Sequence, residues 1–186
     1  MTSSEPRLRA YLACSFDGFV AGPDDDLSWL TEDRGTHTAP NRPDDGLGFE
    51  AFMGQVGAML MGRRTYDIVA AMGVWPYDDT PVLVATHRPL APIRPTVQAV
   101  GGDIVDLVAK ARATAGDKDV YLDGAALLRQ ALDAGLVDEM IITMVPLLLG
   151  DGVRLFDGLT ARHRLTFVGQ HRLAPDMIQI TAEVRR

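Results

Sequence analysis

A chain of 186 residues with 47% hydrophobic and 23% charged content is long enough to bury one substantial core and too short for two comfortable ones, so a single domain over 1–186 is expected. The formal net charge of -7 argues against a broad nucleic-acid or anionic-membrane surface, so any bound anion must be held by local basic groups, and the expected partner is a small molecule. The one cysteine, Cys14, excludes an internal disulfide and a thiolate metal cluster and suits a reducing, cytoplasmic setting; no stretch resembles a signal peptide or reaches the roughly 20 apolar residues of a spanning helix.

Residues 8–15 read as a buried strand, followed by a Gly/Pro/Asp-rich loop over 17–26 and a short helical pattern containing Leu27, Trp29 and Leu30. The stretch 31–48 is poor in apolar residues and carries Gly35, Pro40, Pro43 and Gly46, which suits a mobile lid or an insertion. A helix over 49–56, a strand over 58–61, a helix over 65–72 and a strand over 81–85 then alternate as in an α/β sheet. A weak strand at 97–100, an amphipathic helix at 104–115, a strand at 119–122 and a helix at 125–134 follow, the last closed by Gly135 as a C-terminal cap. After a strand at 139–145, residues 165–171 and 177–184 read as an antiparallel hairpin around Ala174, Pro175 and Asp176, so the sheet is expected to be mixed.

Three strand-to-helix junctions carry chemistry. Met61-Gly62-Arg63-Arg64-Thr65-Tyr66 joins a strand end to a helix start, where unpartnered backbone N–H groups, two guanidinium groups and a hydroxyl suit an anion; a simple glycine turn with solvated arginines is the other reading. Asp123-Gly124-Ala125-Ala126-Leu127 repeats the pattern with small residues that let a diphosphate approach the backbone, or else Asp123 merely caps the helix. Thr86-His87-Arg88 ends the intervening strand with groups that suit a ribose phosphate. Neither a G-x-G-x-x-G after the first strand nor a P-loop is present, so the nucleotide would sit differently from those folds. His37, His87, His163 and His171 are scattered without ligand spacing, so no metal site is expected, and neither a nucleobase-deaminase zinc signature nor a G-x-S-x-G elbow occurs.

Two carboxylates near the first strand are candidate acids. Asp17 follows that strand, and Asp26, in a helix beginning near Asp25, would share a face with Trp29 and Leu30, placing an acid beside an aromatic wall that suits a flat heterocycle. Reduction of a C=N bond leaves charge on nitrogen, which an acid with a burial-raised pKa relieves; the acidic run at 24–26 is equally what a helix N-terminus favours.

Taken in order, Ser15-Phe16-Asp17-Gly18-Phe19-Val20-Ala21-Gly22, Met61-Gly62-Arg63-Arg64-Thr65-Tyr66, Asp123-Gly124-Ala125, Gly135-Leu136-Val137-Asp138-Glu139, Pro146-Leu147-Leu148-Leu149-Gly150-Asp151-Gly152 and Leu155-Phe156 span nearly the whole chain. Together they resemble the dihydrofolate reductase-like superfamily, most closely the C-terminal reductase domain of the riboflavin-biosynthesis deaminase/reductase. The resemblance implies a three-layer α/β fold: a mixed, mainly parallel sheet of about eight or nine strands with helices on both faces and an antiparallel C-terminal hairpin. It implies NADPH as cofactor and hydride transfer to a pyrimidine, pterin or related heterocycle, similar to the reduction of 5-amino-6-(5-phosphoribosylamino)uracil.

Carried over by motif, Gly62, Arg63, Arg64 and Thr65 would hold cofactor phosphate, Thr86, His87 and Arg88 the 2′-phosphate end, and Gly124, Ala125, Ala126 and Leu127 the diphosphate. Ala13, Val20 and Gly22 would border the nicotinamide; Asp17 matches the acid of the riboflavin branch, and Asp26, with Trp29, the position of the acid in the folate enzymes. Asp123 departs from the family's paired glycines and puts a carboxylate beside phosphate, which motivates an alternative: a ligand-binding protein of the same fold with little turnover. Dihydrofolate reduction itself is a third reading, disfavoured by the riboflavin-type motifs. Related reductases often pair, so a homodimer is expected, built on the C-terminal strands and the apolar run at 145–149.

Overall fold

In the computed structural model, which describes residues 5–30, 46–173 and 176–185, the apolar run at the start of the chain forms β1 (Leu8–Ser15). It is followed by β2 (Phe19–Ala21), α1 (Phe49–Met53), β3 (Val56–Gly62), α2 (Arg63–Ala71), β4 (Val82–Ala85) and β5 (Val97–Val100). The second half contributes α3 (Ile104–Ala115), β6 (Asp119–Asp123), α4 (Ala125–Asp133), β7 (Glu139–Val145), β8 (Val153–Arg154), β9 (Leu165–Leu173) and β10 (Met177–Val184).

Eight strands form one sheet in the order β5-β4-β3-β6-β1-β7-β10-β9. The six from β5 to β7 are mutually parallel, and β10 runs antiparallel to both β7 and β9. Strands buried on both faces must be apolar throughout, which is why β1, β3 and β4 read as continuous hydrophobic runs. Alternation then divides the side chains between two cores. Leu8, Ala10, Ala58, Leu60, Val120 and Leu122 pack with α3 and α4 on one face, and Tyr11, Met59, Met61 and Tyr121 pack with Phe52 of α1 and with Tyr66 and Val69 of α2 on the other. The expected mixed, mainly parallel sheet with helices on both faces and a C-terminal hairpin is the observed architecture.

Helix boundaries follow local chemistry. Asp103 caps α3 by accepting from the Asp106 N–H at 3.0 Å. Beyond α4, Gly135 at φ 67° donates to the Leu132 carbonyl and Leu136 donates to that of Ala131, a Schellman closure at the expected glycine. At the N-terminal edge of the sheet, Arg9 donates to Glu139 (2.6 Å), Gln55 (2.6 Å) and Asp119 (3.0 Å), tying together the starts of β1, β7 and β6.

Besides α1, which ends at Met53 so that Val56 opens β3 instead of closing a helix, three features differ from the sequence expectations. Asp26 is not in a helix: a 3₁₀ turn over Pro23–Asp25 ends at an extended Asp26, and a second turn begins at Ser28, because Pro23 and the positive φ of Asp24 and Asp25 break any longer pattern. Residues 19–21 are not all loop, since β2 pairs with β8 in a small separate antiparallel sheet whose strands are too short to carry a periodic signal. The helix after β3 starts at Arg63, so both arginines lie in its first turn rather than before it. The expected lid at 31–48 falls mostly outside the described residues, as do Ala174 and Pro175 of the hairpin turn.

Candidate active site

Parallel pairing brings the C-terminal ends of β4, β3, β6 and β1 to one edge of the sheet, and there a cavity of about 520 Å³ opens. This is a volume typical of small-molecule sites. The α2 and α4 N-termini meet beside it, because both helices leave adjacent strands at this edge without a side-chain cap. Gly124, at φ 102°, lies against the Thr65 side chain so closely that a Cβ would sit 2.7 Å from Thr65 Oγ1. Two uncapped helix starts converging in this way offer backbone N–H groups and positive potential to an anion.

The basic groups are oriented around this corner. Arg63 Nε donates to Asp67 at 2.8 Å and its Nη1 to the Pro89 carbonyl at 2.9 Å. Arg64 grips both carboxylate oxygens of Asp25, at 2.7 and 2.6 Å, across to the loop after β2. Arg129 of α4 donates to the Arg154 carbonyl at 2.8 Å and also lines the cavity.

Ala13, Val20, Gly62, Arg63, Arg64, Thr65, Asp123, Gly124, Ala125, Ala126 and Leu127 all line the cavity. Thr86, His87 and Arg88 lie outside it: the Thr86 hydroxyl accepts from the Arg88 N–H at 3.1 Å, and the Arg88 side chain reaches Asp67 at 3.7 Å, next to Arg63. Gly22 also lies outside, its N–H donating to the Asp26 carbonyl at 2.8 Å. Tyr11, Tyr121, Asp25 and Arg129 line the cavity without having been singled out in the sequence. Strand alternation was the available signal for the two tyrosines, which lie two residues before Ala13 and Asp123.

The two expected acids are both engaged and both outside the cavity lining. Asp17 accepts from Ser15 Oγ at 2.6 Å, Gly150 N at 2.8 Å and Leu149 N at 3.1 Å, so it clamps the β1–β2 turn to the loop after β7. The Ser15 hydroxyl first, and then these amides, pull its pKa down to about 2. Asp26 accepts from the Ser28 N–H and hydroxyl at 3.0 and 3.1 Å, which lowers its pKa as well. Trp29 is buried with its indole N–H donated to the Asp26 carbonyl, so no aromatic wall faces the cavity from there.

Asp123 behaves oppositely. It is 8% exposed, its Oδ2 accepts from the Tyr77 hydroxyl at 3.3 Å, and burial raises its pKa to about 6 against the opposing pull of Tyr77, Gly124 and Tyr121. The carboxyl thus turns to the tyrosines, while Gly124 forms the anion corner. Among the described residues no helix is long and apolar enough to cross a membrane, and no group of three or more His, Cys, Asp or Glu is placed to hold a metal ion.

Comparison with known proteins bears on the family and the fold. The chain is 32% identical to a candidate riboflavin biosynthesis protein of known structure from Shewanella sp. PV-4, with a TM-score of 0.81 over 97% of this chain and 99% of that one. The uncharacterized protein YwjB of Bacillus subtilis (strain 168) is 29% identical over 166 residues, 89% of this chain and 91% of the relative. Dihydrofolate reductase from Enterococcus faecalis, solved with NADP(H) and RAB-propyl, shares the fold at 15% identity and a TM-score of 0.65, covering 98% of each chain. With residues 6–179 matching the family model described as the RibD C-terminal domain, the chain belongs to that family and has the dihydrofolate reductase-like fold.

Proposed function

We propose that the protein is an NADPH-dependent reductase that acts on a pyrimidine, pterin or related heterocycle. The observation that carries this reading is the meeting of the α2 and α4 N-termini across Gly124 and Thr65, at the mouth of a cavity lined by three arginines. A dinucleotide diphosphate fits such a corner: a side chain at position 124 would fill the cradle, and N–H groups with nearby guanidinium charge suit phosphate oxygens. Family membership and the NADP(H)-bound fold relative support the same choice of cofactor.

On this reading Gly62, Arg63, Arg64, Thr65 and Gly124 to Leu127 hold phosphate. Arg64 keeps Asp25 on its Nε and Nη2 and turns its Nη1 to the ligand, and Arg88, beside Asp67, meets the 2′-phosphate end. Ala13 and Val20 wall the nicotinamide with apolar surface that excludes water. The cofactor, when bound, supplies hydride for a C=N or C=C bond. Titration with NADPH and NADH tests the proposal: saturable binding well below millimolar, tighter for NADPH and levelled towards NADH by Arg88→Ala, is expected. Absence of binding of either overturns it.

The engagement of Asp17 and Asp26 favours a second reading, a ligand-binding protein of this fold with little turnover. Saturable NADPH binding with no cofactor oxidation across a panel of pyrimidines and pterins would select it. We also propose a homodimer: β9 is an edge strand that exposes Phe167 and Val168, an apolar surface that a second copy covers, and sedimentation of a monomer would remove it.

A further inference from the structure

We propose that Asp123 is the residue through which this cavity recognises its substrate, accepting the N–H edge of a protonatable nitrogen heterocycle, with Tyr77 as the positioning residue that orients the carboxyl. The word substrate rests on the reductase reading; the binding site itself does not.

Asp123 ends β6, between β3 and β1, and lines the cavity although it is almost fully buried. Burying a carboxyl is costly unless a cation or several donors compensate it. Among the described residues no cation pairs with it. The three arginines that line the cavity are committed elsewhere, Arg63 to Asp67 and Pro89, Arg64 to Asp25, and Arg129 to the Arg154 and Leu155 carbonyls. Asp25, the other acid of the lining, is neutralised by Arg64.

The phenols around Asp123 are also arranged asymmetrically. Tyr77, held protonated by burial and by Asp123, donates to Oδ2. Tyr121 lies beside the carboxyl, but its one hydroxyl proton goes to the Tyr11 carbonyl at 2.8 Å. Asp123 therefore has the Tyr77 hydroxyl and the Gly124 amide as its directed donors, the Tyr121 phenol beside it, and no counter-charge. A planar ring bearing an amino group beside a protonated ring nitrogen supplies the missing counter-charge, on two parallel N–H donors matched to a carboxylate. The anion corner at Gly124 and Thr65 stays available to phosphate, because the Asp123 carboxyl is turned to Tyr77 whereas Gly124 lies against Thr65.

The complex carries one proton shared between carboxyl and ring nitrogen, so affinity falls on the acid side as the free carboxyl becomes protonated, near its pKa of about 6. Tyr77 hydrogen-bonds the charged form, so removing its hydroxyl raises that pKa and moves the acid limb to higher pH.

The test is calorimetric titration of 2,4-diaminopyrimidine, from about pH 5 to about pH 8, into the whole protein and its Asp123→Asn and Tyr77→Phe variants, with NADPH titrated separately into each. Asp123→Asn should lose about tenfold or more in affinity for the pyrimidine while NADPH binding stays within about twofold. Tyr77→Phe should keep binding but shift the acid limb upward, which a merely structural tyrosine would not do. Failure of the wild-type protein to bind the pyrimidine below millimolar, or equal binding by Asp123→Asn, overturns the inference. So does loss of NADPH affinity alone in Asp123→Asn, which would make Asp123 a cofactor residue. Absence of NADPH binding with pyrimidine binding intact overturns the reductase reading and leaves Asp123 as a ligand site.

Discussion

The Tyr77 hydroxyl and Asp123 Oδ2 lie 3.3 Å apart in the interior, joining the loop after α2 to the last residue of β6 at the rim of the cavity. The bond lowers the cost of an ionised Asp123 without cancelling it, since burial still raises the carboxyl to about 6 from its ordinary 3.8. A raised carboxyl means that the folded state holds the proton more tightly than the unfolded one. Its stabilising contribution is fully present below about pH 4, and is lost as pH rises through about 6; two pKa units correspond to roughly 3 kcal/mol as an upper figure. Asp123→Asn should therefore match the wild type near pH 4 and exceed it by about 1–3 kcal/mol above pH 7 in urea unfolding.

Gly124→Ala should be harmful for two separable reasons. A φ of 102° is strained for any residue with a Cβ, and that Cβ would lie 2.7 Å from Thr65 Oγ1. A stability loss of more than about 1 kcal/mol is expected, together with weakened NADPH binding. Gly124→Ala combined with Thr65→Ala removes the contact but not the backbone strain, so thermal unfolding should show only partial recovery.

Glu139→Ala should destabilise the protein far from the cavity. Arg9 and Glu139 have side chains only 7% and 8% exposed and are 2.6 Å apart, so removing the acid strands a buried guanidinium. A cost of about 3 kcal/mol is expected, at the lower end for such truncations, because Asp119 still faces Arg9 at 3.0 Å. Cofactor and heterocycle affinities measured on the folded fraction should be unchanged.

Asp17 makes a different prediction from Asp123. Its depressed pKa means that its contribution is present above the ordinary carboxylate value and disappears as pH falls through about 2. Asp17→Asn keeps one acceptor oxygen and turns an amino group towards donors, so the Leu149 and Gly150 amides should exchange faster with solvent. If Asp17 instead acts as the reaction's acid, turnover would fall with amide protection intact.

Much of the fold was legible because its causes are local. Continuous apolar runs bounded by Gly, Pro and Asp mark β1, β3 and β4, and Gly135 closes α4 through its own positive φ. The strands β2 and β8 were not legible, since two or three residues have no period. Met61 to Thr65 and Asp123 to Leu127 were recognisable as junctions for the same local reason, and parallel pairing puts them at one sheet edge.

The amino-acid sequence by itself thus determined the alternation of elements, the family motifs and the supply of acids and arginines. Which acid faces the cavity was decided only by tertiary structure. Asp17 is held by amides 132 and 133 residues away, and Asp123 by a phenol 46 residues away. Hydrogen-bond partners and burial set a carboxyl's proton affinity, and both are brought to it by parts of the chain that local pattern cannot connect.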